Sequence, residues 1–174
     1  MIRTLLAVAC IAGAAGCATP PVADGGGAWT SGRMSLRVDA SPGREAQSLN
    51  AAFDLRGSGS QGELRLMSPL GTQLVAARWQ PGIVMLTTPE GEQRFASLEA
   101  LSRQALGEAV PLAALPDWLA GRPWPDAPHQ SQPDGFAQLG WQVQTQQLAE
   151  GWISARRDAA PLVQLRVRLD RGEP

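Results

Sequence analysis

From Arg33 onward the chain alternates. Met34, Leu36 and Val38 are apolar, and Arg33, Ser35, Arg37 and Asp39 around them are polar. A period of two predicts a strand with one buried face. Ser41-Pro42-Gly43 turns the chain, and a second strand sets Leu49, Ala51, Phe53 and Leu55 against Asn50, Asp54 and Arg56. Gly57-Ser58-Gly59-Ser60-Gln61-Gly62 fits the G-x-G-x-x-G spacing, but a dinucleotide loop needs a helix next. Glu63, Leu64, Arg65 and Leu66 alternate instead, so the glycines predict a hairpin turn. Met67-Ser68-Pro69-Leu70-Gly71 then interrupts the ladder, because Pro69 has no N–H to give and Gly71 permits a turn. Leu70 falls at the tip. Its spacing alone leaves open whether it folds back or faces solvent. Further strands follow over residues 73–80 and 83–88, separated by Pro81-Gly82, with a turn at Pro89-Glu90-Gly91-Glu92 before Phe95.

Helical spacing appears only in the middle of the chain. Ser97 is an N-cap, Leu98, Leu101 and either Ala105 or Leu106 share a face, and Gly107 ends the helix. A second helix is predicted from Pro111, with Leu112, Leu115, Trp118 and Leu119 on one face, a kink at Pro116 and a stop at Gly121. Residues 122–135 hold Pro123, Pro125, Pro128 and Pro133 and read as an exposed loop. Strands resume with Trp141, Val143 and Thr145 alternating against glutamines. Ile153 and Ala155 begin another after Gly151, and Val163, Leu165, Val167 and Leu169 form the last. The pattern predicts a mainly β fold: a curved antiparallel sheet with short helices on one side. The sheet either curls and fills its interior with side chains or encloses space for an apolar guest. Composition decides neither.

The residues before the first strand follow a different logic. Arg3, an apolar run from Leu5 to Ala15 and then Ala14-Ala15-Gly16-Cys17 make a secretory signal, too short to span a bilayer. Small residues ahead of a cysteine resemble a lipobox, where bacterial lipoproteins are cleaved and acylated on the new N-terminal cysteine. The expected organisation is residues 1–16 as signal peptide, 17–31 as a lipidated Pro- and Gly-rich leash, and 32–174 as the folded domain. Lipid on Cys17 would anchor the chain, and Ala18, in place of a retention aspartate, favours the outer membrane.

Charge and composition remove several classes of function. The chain carries 15 basic and 16 acidic groups, a net charge of −1, which gives nucleic acid little to bind. It has 2 cysteines, of which Cys10 lies in the signal, so no disulfide is expected. Every basic side chain other than His129 is an arginine, and there is no tyrosine, so Schiff-base lysines and phenolic acids are excluded. His129 sits among prolines with no nucleophile pattern near it. No catalytic residue, metal cluster or cofactor is expected, and the chain reads as a non-enzyme.

One family resemblance covers nearly the whole processed chain. Its marks are Gly32-Arg33-Met34-Ser35-Leu36, Ser68-Pro69-Leu70-Gly71, Leu106-Gly107, Val110-Pro111-Leu112 with Leu115, Trp118-Leu119-x-Gly121-x-Pro123, Gly135-Phe136, Gln138 and Gly140-Trp141. In order and spacing, behind a lipobox, they resemble the LolB family of outer-membrane lipoprotein receptors. The C-terminus departs from the family, which often ends near a tryptophan. The resemblance implies an unclosed antiparallel β-barrel with a helical lid over an apolar cavity. It implies acylated lipoproteins delivered by a LolA-type periplasmic carrier, and release into the inner leaflet of the outer membrane by a monomer. Met34, Leu36, Val38, Leu64, Leu66, Leu101, Trp118, Trp141, Leu165 and Val167 are then expected to line the cavity. Ser68, Pro69, Leu70 and Gly71 inherit the membrane-insertion loop, which favours an exposed Leu70. An envelope lipoprotein binding another lipid or a protein on the same scaffold is the alternative.

Overall fold

The computed structural model describes residues 27–170; the signal, Cys17 and most of the expected leash lie outside the described residues. Alternation does what it predicts. Strands β1 (Thr30–Val38), β2 (Gln47–Gly57), β3 (Gly62–Met67), β4 (Gln73–Gln80), β5 (Ile83–Thr88) and β6 (Gly91–Arg94) come first. Helices α1 (Leu98–Leu106) and α2 (Leu115–Leu119) follow. Then come β7 (His129–Gln132), β8 (Gly135–Gln138), β9 (Trp141–Gln144), β10 (Trp152–Arg157) and β11 (Val163–Leu169). β1 begins at Thr30, inside the expected leash. The turn placed at Pro89–Glu92 is tighter, with Gly91 and Glu92 already in β6. The exposed loop expected over 122–135 contains a strand, β7, whose four polar residues give no alternation to read.

All eleven strands form one antiparallel sheet in the order β6-β5-β4-β3-β2-β1-β11-β10-β9-β8-β7. β1 pairs with β11, with Met34 opposite Val167 and Leu36 opposite Leu165, so the two ends of the domain meet at the sheet's centre. Two meanders run outward from that seam to edge strands β6 and β7, which do not pair with each other. The barrel is therefore unclosed, as expected. The connection between the two edges is the segment carrying α1 and α2, so the chain must pass its helices between the open sides.

The G-x-G-x-x-G stretch is a hairpin, and packing explains its glycines. A Cβ on Gly59 would fall on the indole of Trp124, and one on Gly62 would fall on Trp79. Trp79 also donates its Nε1–H to the carbonyl of Ser58 at 3.0 Å. These contacts bind the β2–β3 turn to the barrel wall and to the proline-rich segment.

Candidate functional site

Alternation sends Met34, Leu36 and Val38 of β1, Leu64 and Leu66 of β3, Trp141 of β9 and Leu165 and Val167 of β11 to one face of the sheet. All are buried, and with Leu101 of α1 and Trp118 of α2 they belong to a single apolar cluster. The ten residues expected to line an acyl-chain cavity are thus brought together in one buried apolar cluster. The helices supply its cover. α1 packs on β4 and β5, and α2 on β2. Between them they bury Leu101, Leu106, Leu115, Trp118 and Leu119, and the linker adds Val110, Leu112 and Ala114. Trp118 sits edge-on to Phe136, with ring centroids 6.4 Å apart, and tilted against Trp141 at 6.2 Å.

Both helices are short for independent stability, so their placement depends on what holds them. α1 has both predicted caps: the Ser97 hydroxyl accepts the N–H of Ala100, and Gly107 closes it with φ of 76°. α2 starts later than predicted. Residues 111–114 form turns, the helix begins at Leu115, and Pro116 lies in its first turn, where its missing N–H has no intrahelical partner to lose. The expected kink is replaced by a helix start.

Two polar nodes fasten this cover, and pattern reasoning missed both as functional positions. The first is at Glu108, just past α1. Arg44, from the β1–β2 connection, donates to the carbonyl of Gly107 and pairs with Glu108 at 3.4 Å. Arg157 of β10 pairs with the other oxygen at 3.4 Å. Burial pushes the Glu108 carboxyl up, but the N–H of Ala109 and the two arginines outweigh it and hold the carboxyl below its usual range. The second node is Gln138 of β8, 3% exposed. Its oxygen accepts the Nε1–H of Trp118 at 2.8 Å and the N–H of Trp124 at 2.9 Å. Its amide donates to the carbonyls of Trp124 and Ala127 at 2.7 and 2.8 Å. One side chain thereby joins α2, the proline-rich segment and β8.

The β3–β4 connection is built to project. The Ser68 hydroxyl accepts the N–H groups of Leu70 and Thr72, and backbone bonds join Ser68 to Thr72 and Gly71 to Ser68. Gly71 takes a left-handed φ of 83° to close the turn. A slip in register between Leu66 and Met67 precedes the turn, an irregularity at the foot of the loop. The turn is satisfied by its own polar groups, so Leu70 has nothing to fold back onto and is 94% exposed. Leu74, beside it, is also exposed. His129 lies exposed on edge strand β7, and among the described residues no group of three or more acidic, His or Cys side chains could hold a metal ion.

Comparison with known proteins points to one family. The family model described as outer membrane lipoprotein LolB matches residues 29–170. The outer-membrane lipoprotein LolB of Bordetella petrii is 36% identical over 154 residues, covering 82% of this chain and 77% of that protein. That of Bordetella pertussis is 35% identical over 118 residues, covering 63% of this chain and 59% of that one. That of Ralstonia nicotianae is 35% identical over 104 residues, covering 56% and 50%. The chain spans between half and three-fifths of the length of the latter two.

Proposed function

We propose, from the premise that the chain belongs to the LolB family of outer-membrane lipoproteins, how its interior serves lipoprotein localisation at the outer membrane. It accepts acylated lipoproteins from a soluble LolA-type carrier, shelters their acyl chains beneath α1 and α2, and releases them into the inner leaflet. Lipid on Cys17 tethers it there. The observation that carries this reading is the interior itself: a wide apolar sheet face covered by two short helices between unpaired edges.

No covalent step is needed. Each methylene withdrawn from water is worth about 0.8 kcal/mol, and acyl chains carry on the order of tens of them. Displacing the helices exposes five large helical side chains, at roughly 1.5–3 kcal/mol each. Acyl burial therefore exceeds the cost of opening, and because affinities saturate at about −20 kcal/mol the gross gain cannot all be used to hold the cargo. Because donor cavity, receptor interior and bilayer are all apolar, small differences between them set the direction. Leu70, buried in the bilayer, adds roughly 1.5–3 kcal/mol that holds the mouth against the leaflet.

Depletion in cells tests this. Lipoproteins should accumulate on the soluble carrier; normal delivery in depleted cells would overturn the reading. Leu70→Glu should fold, take lipoprotein from the carrier and fail to deliver it. Full transfer by that variant would remove Leu70 from the mechanism.

A further inference from the structure

The outer face of the sheet carries a separate feature. Of the described arginines, Arg37, Arg44, Arg56, Arg65, Arg78, Arg103, Arg122, Arg156 and Arg157 each have a carboxylate within ion-pair distance. Arg94 donates to the carbonyl of Gly82. Arg33, Arg166 and Arg168 have neither kind of partner among the described residues, all three are exposed, and they stand together. Strand register places them. Arg33 of β1 lies directly opposite Arg168 of β11, and Arg166 lies opposite Ser35 one step along the same face. Like charges facing each other across a ladder repel, and among the described residues no carboxylate forms an ion pair with these.

The three line one groove of ≈ 670 Å³, together with Ser35, Ala52, Pro69 and Trp152. The small side chains of Ser35 and Ala52 leave the dip between the guanidinium groups. Glu150 and Asp170 border a neighbouring hollow with Arg33 and Arg168, but neither forms an ion pair with them. Two neighbours indicate what fills the groove. Pro69 belongs to the projecting turn, so the groove continues into the tip that presents Leu70. Trp152 is 41% exposed, and Arg168 lies 5.5 Å from its ring centroid. An exposed indole at the rim suits the boundary between headgroups and acyl chains.

We propose that this groove binds the phosphodiester headgroup of an anionic phospholipid in the leaflet that Leu70 enters. Its role is orientation: headgroup contacts at Arg33, Arg166 and Arg168 and insertion of Leu70 fix the body by two points. The proposal rests on the membrane placement of Leu70 given above, but headgroup preference and lipoprotein delivery are read by different assays.

The test uses the processed chain, residues 17–174, with Cys17→Ala to remove the acyl anchor; the described fold, with its own core, lies wholly inside it. Flotation is measured with vesicles of phosphatidylcholine and of phosphatidylcholine mixed with phosphatidylglycerol. The unaltered groove should favour the anionic vesicles. Each arginine near an anionic surface strengthens binding about fivefold, so combining Arg33→Gln, Arg166→Gln and Arg168→Gln should weaken it about a hundredfold. Combining Arg37→Gln, Arg103→Gln and Arg156→Gln removes the same charge from paired sites and should cost far less. Equal flotation with both vesicle types, or equal loss in both triple variants, overturns the proposal. Inorganic phosphate, at ionic strength matched with chloride, gives the last arm. If it abolishes vesicle binding and stabilises the unaltered chain alone, the groove is a site for free phosphate and the membrane assignment is wrong. Absence of any headgroup preference in the unaltered chain, with normal delivery in cells, would refute this proposal and leave the transport reading standing.

Discussion

Gln138 shows how much one side chain can hold. It uses both amide hydrogens and its oxygen on four partners inside the barrel wall. Gln138→Leu keeps the volume and strands those partners, and buried polar groups left without bonds cost about 1–3 kcal/mol each. We expect a loss of at least about 3 kcal/mol, read as a lower urea midpoint with unchanged slope. Leu70→Ala should move the same midpoint by less than about 0.5 kcal/mol, because the side chain touches little. A large shift there would mean that Leu70 packs against the domain. The sequence treats these residues unequally for a physical reason. Leu70 stands out because an apolar residue between Pro69 and Gly71 breaks the expected polarity of a turn. Gln138 is marked only by the family resemblance, since burial alone separates it from Gln142 and Gln144 and the local pattern carries no trace of that burial.

At the scale of elements, the node at Glu108 governs how firmly the cover is closed. Arg44 and Arg157 come from the two sides of the sheet's seam and meet on one carboxylate at the end of α1. Its folded pKa lies below 4.5, so the proton binds more readily to the unfolded or opened chain. The node's contribution is fully present above about pH 4.5 and fades as pH falls through the depressed native value. Glu63 has the same sign: burial raises it, but hydrogen bonds from Arg56 and Arg65 and the charge of Arg78 lower it further. Binding of an apolar dye should therefore rise as pH drops below 4.5. Glu108→Gln should raise it at neutral pH without lowering the protection of β1 or β11. Dye binding that ignores both changes would mean that the helices are held by packing alone.

The elements that sequence reasoning located well have long alternation or marked ends, such as β1, β11 and α1 between Ser97 and Gly107. Those it misplaced are short. α2 has five residues, and its first turn was hidden because proline is equally at home one turn earlier at Pro111. β7 is a polar edge strand with nothing to bury, so neither face leaves a mark.

The whole molecule brings these scales together, because its topology makes the cover the weakest part of a strong shell. β1 and β11 are hydrogen-bonded on both sides and bury their inward faces, whereas α1 and α2 are short and joined to the edge strands β6 and β7. Opening by displacement of the helices breaks no ladder bond. Opening by spreading the strands would break many. Acyl cargo entering the interior must take the place of Leu101, Leu106, Leu115, Trp118 and Leu119 against the sheet, since these already occupy it. Hydrogen exchange should show this as two populations. In the free protein, amides of α1 and α2 should exchange well before those of β1, β2 and β11. With acylated lipoprotein bound, helix amides should exchange faster still, while the central strands keep their protection. An acylated protein that binds tightly and leaves helix exchange unchanged would have its chains somewhere other than beneath the helices. Slower exchange along β6 and β7 in that complex would place them at the open edges instead.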